Sequence, residues 1–222
     1  MKSFKMKSAV LIPITLLIFI FDTDINAQVL KYGVQAGINI CNPQVANKSD
    51  FSDGRVFYPL LSFGVNGFIS VKSNSFIGFS IEPGFIRKGG TRRDVTIQTG
   101  DILYLPQDFK YTSDYIQLPL FADFYVTEKL RISTGPEIAY HLKSKAKGLD
   151  FNYNISDNYN KYELSGSVRL TYSLLDNLDC AITYNHGLTN SSILEWTDTA
   201  SIIIGTTKVY NQYVQILFRI KI

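Results

Sequence analysis

The chain is poor in the residues that most often carry chemistry, with two histidines and two cysteines in 222 residues. His141 and His186 do not stand at a metal-ligand spacing, and no Gly-x-Ser-x-Gly nucleophile motif occurs. Together with Asp198 they are the one set from which a surface hydrolase can be imagined; solvated histidines at loop bases are the plainer reading. The sequence therefore reads as non-enzymatic, with no cofactor and no metal. Charge is scarce as well. Charged residues make up 18% of the chain and the net charge is +3, too weak for a nucleic-acid footprint. Beyond residue 21 no apolar run approaches the roughly 20 residues of a spanning helix. A membrane protein of this sequence has to cross with strands.

The one sustained apolar run lies at the start. Lys2, Lys5 and Lys7 precede an apolar stretch over 9–21, broken only by Pro13 and Thr15, and a polar stretch then ends Ile25-Asn26-Ala27. A basic start, a short apolar core and a small residue at the cut describe a secretory signal peptide. Cleavage is expected after Ala27, leaving one domain over 28–222. No cysteine stands at the cut, which argues against a lipoprotein anchor.

What the rest of the chain has is alternation. Eight segments put apolar residues on one face and polar residues on the other: 32–40, 60–71, 76–88, 115–126, 130–142, 162–174, 178–187 and 210–222. In the first, Tyr32, Val34, Ala36, Ile38 and Ile40 oppose Gly33, Gln35, Gly37 and Asn39. Most of these segments reach the roughly 9–11 residues that a tilted membrane strand needs. The gaps alternate too. Short turns at 72–75, 127–129 and 176–177 separate long polar stretches at 41–57, 89–112, 143–161 and 188–209. The polar face is rich in Gly and Ser with a few large charged groups, which suits a narrow lumen better than a solvated surface. The pattern predicts an all-β fold: an eight-stranded antiparallel up-and-down transmembrane β-barrel with short periplasmic turns and long extracellular loops. A soluble lipocalin-like barrel shares the period-two pattern but turns its apolar face inward around a ligand.

This topology separates the two thiols. Cys41 ends the first strand at the loop rim and Cys180 begins the seventh at the turn rim, so both are expected free, because a disulfide needs Cα atoms within about 7 Å. It also places charges inside. Glu82, Glu137 and Arg169 are expected together near mid-height, and Asp123, Arg131 and Arg219 nearer the periplasmic rim, paired because an isolated buried charge is very costly. Pro83, Pro119 and Pro136 are expected at bulges or local kinks, since a closed barrel has no edge on which to put them. Arg87, Lys88, Arg92 and Arg93 form a candidate contact for lipopolysaccharide phosphates. Tyr153 and Tyr159, in a Tyr- and Asn-rich loop, are candidates for surface recognition, since Tyr supplies rigid contact area. The expected surroundings are outer-membrane lipid and lipopolysaccharide, with a protein partner at the extracellular loops. A monomer is expected, and an eight-stranded lumen leaves little room for a channel.

Four short motifs point further: Tyr32-Gly33-Val34-Gln35-Ala36-Gly37, Glu82-Pro83-Gly84-Phe85, Tyr115-Ile116-Gln117-Leu118-Pro119-Leu120 and Thr134-Gly135-Pro136-Glu137. On these residues the chain resembles the PorT-like outer-membrane β-barrel family of Bacteroidota-type bacteria, over nearly all of 28–222. The resemblance implies an outer-membrane barrel. Beside a structural or surface-interaction role, it implies a second one, accessory to protein export across the outer membrane of the type IX secretion kind.

Overall fold

The computed structural model describes residues 29–46, 57–73, 75–95, 98–99, 102–103, 107–149, 151–197 and 203–222. The expected signal segment 1–27 and Asp198 lie outside the described residues. Eight strands form the body: β1 Val29–Cys41, β2 Leu60–Lys72, β3 in two segments Ile77–Ile81 and Gly84–Val95, β4 Gln107–Tyr125, β5 Leu130–Lys147, β6 Tyr162–Leu175, β7 Leu178–Gly187 and β8 Gln212–Lys221. Each pairs antiparallel with the next, and β8 returns to pair with β1 from Gly33↔Lys221 to Cys41↔Tyr213. The sheet is closed, so none of the eight strands is left as an open edge.

Burial settles which face is inside. The apolar members of each alternation are exposed, among them Val34, Ile38, Phe63, Ile69, Ile116, Ile138, Val168, Ile182, Ile216 and Phe218. The polar members are enclosed, including Gln35, Asn39, Asn66, Gln117, Glu137, Arg169 and Arg219. This is the reverse of a lipocalin-like barrel, and that alternative is excluded. It is the arrangement lipid demands, with an apolar outside and the backbone paired strand to strand around the ring. Cys41 and Cys180 are both free thiols, facing opposite ends of β8.

The prolines act differently from expectation. Pro83 interrupts β3, yet both segments keep one register: Ile69↔Ile81 and Val65↔Phe85 against β2, Ile81↔Leu120 and Gly84↔Gln117 against β4. No residue is inserted, so this is a gap in the ladder and not a bulge. Its neighbours still bond across it, Gly67 N–H to the Pro83 carbonyl at 2.9 Å and Glu82 N–H to the Pro119 carbonyl at 3.1 Å. Pro119 and Pro136 likewise sit within β4 and β5 without a change of register there. A missing donor removes a hydrogen bond, but neighbouring pairs on both sides hold the alignment. At the seam between Pro119 and Pro136 a Cβ on Gly135 would lie against the Leu120 carbonyl oxygen. Only glycine allows that approach.

The strands also run further outward than the polarity pattern suggested. β3 continues to Val95, β4 begins at Gln107 and β5 continues to Lys147, within stretches expected to be loop. Above the bilayer both faces can meet water, so the apolar alternation stops while the backbone ladder does not. The last extracellular stretch forms its own small sheet, with Ser192–Thr197 against Ile203–Tyr210 and the latter against Gln44–Val45.

Gly135→Val should cost the folded barrel on the order of 2 kcal/mol or more, read as a less heat-resistant fast-migrating gel band. Gly166→Val, where a Cβ meets nothing within 4 Å, should leave that band unchanged.

Candidate functional site

The lumen holds its charges in two tiers. The lower one is built on Glu82, which sits at the break in β3. Its carboxylate accepts from Arg169 Nη1 at 2.6 and 2.7 Å and from Gln35 Nε2 at 2.6 Å. Arg169, on β6, also donates through Nε to Thr183 Oγ1 at 2.7 Å and lies over the Phe121 ring. Arg219, on β8, brings Nη2 to 3.3 Å from Glu82 Oε1 and covers the Phe68 ring. Towards the periplasm, Asp123 accepts from Ser133 and Ser70 and lies 3.8 Å from Arg131 Nη1.

The upper tier is built on Lys88, further along the outward-running β3. Its Nζ donates to Glu137 Oε1 at 3.1 Å and Glu163 Oε1 at 2.9 Å. Tyr213 donates to the second Glu137 oxygen at 2.7 Å, and Asn211 Nδ2 to the second Glu163 oxygen at 2.6 Å. The rings of Tyr115 and Tyr213 flank the ammonium at 5.1 and 5.3 Å. Every partner here is buried, so the tier fills the bore as a packed, hydrogen-bonded plug.

Above it stands an aromatic column. Tyr115 meets His141 edge-on and His141 stacks on Tyr159, with ring centres 5.3 and 5.1 Å apart. His141 Nε2 shares a 2.7 Å hydrogen bond with Ser144, which bonds in turn to Ser113. Tyr159 forms part of the wall of an extracellular cavity of about 670 Å³, together with Phe57, Phe109, Tyr111, Tyr153, Asp157, Asn158 and Asn160. The extended ends of β4 and β5 supply one side of this cup. The last extracellular stretch, through Ser192, Ile193 and Leu194, supplies another.

All six inward charges named from the sequence are enclosed, but they group differently. Glu137 joins Lys88 and Glu163, not Glu82 and Arg169, and Arg219 keeps company with Arg131 as expected but has Glu82 as its nearest carboxylate. The stagger of tilted strands in a closed barrel shifts heights in a way that counting from the turns misses. The basic cluster at 87–93 divides as well. Lys88 is 1% exposed and turned inward, so it is no lipopolysaccharide contact. Successive side chains of a strand point to opposite faces. Arg87 faces out, held by Asp114 at 2.6 and 3.0 Å; Arg92 is half-buried; Arg93 is exposed and lies over Tyr58. Tyr153 is exposed and stacks on Phe151, and both it and Tyr159 line the cup. Glu163 belongs to the same set of inward charges, and its place on the polar face of β6 marks it as inward. Gln35 gave the same signal on β1.

Lys88→Met leaves two buried carboxylates without their cation and should destabilise the barrel by about 3–5 kcal/mol. Adding Glu137→Gln and Glu163→Gln should restore much of the loss. Urea unfolding followed by gel mobility checks both.

The chain matches the outer membrane protein beta-barrel domain family over residues 26–192. Among solved structures it is similar to Neisserial surface protein A at 10% identity, covering 89% of this chain and 100% of that one, with a TM-score of 0.47. It is also similar to Ail, the attachment invasion locus protein of Yersinia pestis, at 13% identity, 86% and 98% coverage and a TM-score of 0.45. OprG from Pseudomonas aeruginosa follows at 10% identity, 88% and 95% coverage and a TM-score of 0.37. No match was found among curated proteins. The family match takes in β1 to β7 and well over half of the sequence, and the chain belongs to the outer membrane protein beta-barrel domain family.

Proposed function

We propose that this protein is a non-enzymatic, non-conducting barrel that acts as a monomer through its extracellular face, after residues 1–27 are removed as an export signal. The observation that carries this reading is the pairing of a sealed bore with an open cup. Lys88, Glu137, Glu163 and Tyr213 close the lumen, while the aromatic-lined cavity above them is turned to the outside. Recognition sites are commonly concave, largely apolar and provided with a few polar groups, and a volume of 300–1,000 Å³ is typical. The cup fits that description, with Tyr153 and Tyr159 as rigid contacts and Asp157, Asn158 and Asn160 as hydrogen-bonding groups. The serine–histidine contact found among the described residues supports a non-catalytic reading: Ser144 is fully buried beneath the cup and already engaged with Ser113.

The basic outer rim suits lipopolysaccharide phosphates. Arg87 and Arg93 stand there, and the exposed Lys143, Lys145 and Lys147 repeat on the outward face of β5 beside Lys110 of β4. The PorT-like motifs support a second reading, an accessory part in protein export. Glu82-Pro83-Gly84-Phe85 supplies both the break in β3 and the carboxylate at the centre of the lower tier.

Purified protein in planar bilayers should show no steady conductance. Immobilised glycans and extracellular-matrix proteins should include at least one that cells bearing the protein bind. That binding should fall about tenfold or more for Tyr153→Ala with Tyr159→Ala, since aromatic anchors dominate recognition. A stable open channel, or binding indifferent to both tyrosines, would sink the surface reading. Loss of secreted proteins on deletion, with no cup-dependent binding, would favour the export role instead.

A further inference from the structure

The lower tier leaves a set of strong donors without acceptors. Arg219 is 1% exposed, yet none of Nε, Nη1 and Nη2 has a hydrogen-bond partner among the described residues. Arg131 is nearly as enclosed, and its Nε and Nη2 are also unpartnered. The buried hydroxyl of Thr171, directly across the β5–β6 ladder from Arg131, is unpartnered too. These three side chains line one small cavity at the periplasmic mouth of the barrel. Buried polar groups in native proteins are nearly always satisfied, and a guanidinium without partners is costly.

The nearby carboxylates are already taken. Glu82 is held by Arg169 and Gln35, and its approach to Arg219 at 3.3 Å makes no hydrogen bond. Asp123 accepts from Ser133 and Ser70 and stands 3.8 Å from Arg131. Asp179, paired with Arg219 across the β7–β8 ladder, is claimed by Lys221 at 2.7 Å. Four enclosed or nearly enclosed cations, Arg131, Arg169, Arg219 and Lys221, thus face three carboxylates. One positive charge is left over, and the residues that carry the free donors, Arg131, Arg219 and Thr171, stand in the wall of the cavity.

We infer that this cavity binds a small inorganic anion of chloride size, held between the guanidiniums of Arg131 and Arg219 and the hydroxyl of Thr171. The space is about 30 Å³. One water needs about 10–15 Å³ measured this way, so a monatomic ion fits and a phosphate does not. The exposed Lys31 and Lys129 at the mouth add to the attraction, against the carboxylates of Glu128 and Asp179, the latter paired with Lys221. Such an ion cancels the surplus charge and gives the unpaired donors an acceptor, making it a structural part of the lumen.

Bromide serves as the probe. The protein is purified from outer membranes in detergent and crystallised in bromide, and anomalous scattering is measured. A bromine peak in contact with both guanidiniums is the expected result. A cavity holding only water would overturn the inference, whatever the stability data show. In solution, bromide in large excess over half-saturation, replacing gluconate at constant ionic strength, should raise the unfolding temperature by about 5–10 °C. Arg219→Gln should weaken the apparent anion affinity by about tenfold to a hundredfold. If that variant does not fold, Thr171→Val keeps both charges and should weaken it by a smaller factor. A halide effect of undiminished size in these variants would count against the site.

Discussion

The pairing of β8 with β1 is the constraint on which the rest of the molecule depends. A sheet in lipid cannot leave a row of unsatisfied backbone groups at an edge. Nine residues of β1, from Gly33 to Cys41, meet Lys221 to Tyr213 in one unbroken register. Once that seam closes, each strand has a fixed inside and a fixed outside. The bore is then so narrow that side chains fill it. Glycines where strands come close, as at Gly135, follow from the same curvature.

Closure converts a question of solubility into one of electrostatics. The outside has to be apolar, so the polar half of each alternation is forced into a space with little water. Charges there survive only with partners, and the two tiers are two solutions. Around Lys88 the solution is complete at short range, with one ammonium between two carboxylates and each second carboxylate oxygen also engaged. Around Glu82 one arginine nitrogen shared by both carboxylate oxygens, an amide and a second arginine crowd one carboxylate. The upper tier has an excess of negative charge and the lower tier an excess of positive charge. The bore therefore carries its own axial polarity, independent of the membrane around it.

Much of this was legible in the sequence because a strand has a period of two. That parity identified the eight strands, and it separated Glu82, Asp123, Arg131, Glu137, Arg169 and Arg219 from the lipid face. It also contained the correct placement of Lys88, which stands on the polar face of its strand. Grouping it with Arg87 by nearness in sequence obscured that, since neighbours along a strand point apart. Partner choice was not legible. Which carboxylate Arg219 meets depends on barrel stagger, and no single strand encodes that. The outward extensions of β4 and β5 were hidden because their signal, apolar alternation, ends where lipid ends. At the prolines the sequence leaves a bulge and a local kink both open, because a missing donor marks either, and only the unbroken register removes the bulge.

The length of the β4–β5 hairpin has a consequence for reach. β4 has 19 residues and β5 has 18. At about 3.3 Å per residue such strands measure roughly 60 Å, and at a tilt near 40° they rise about 45 Å, against an apolar band about 25 Å tall. With only a short turn below, most of the difference stands on the outer side. The hairpin is thus a mast some 20 Å high, rooted in the ring and held by a backbone ladder that shifts register once, between Asp114 and Tyr115. It lifts the aromatic cup clear of the apolar band. A partner approaching from outside would meet this rigid crest before any lipid headgroup.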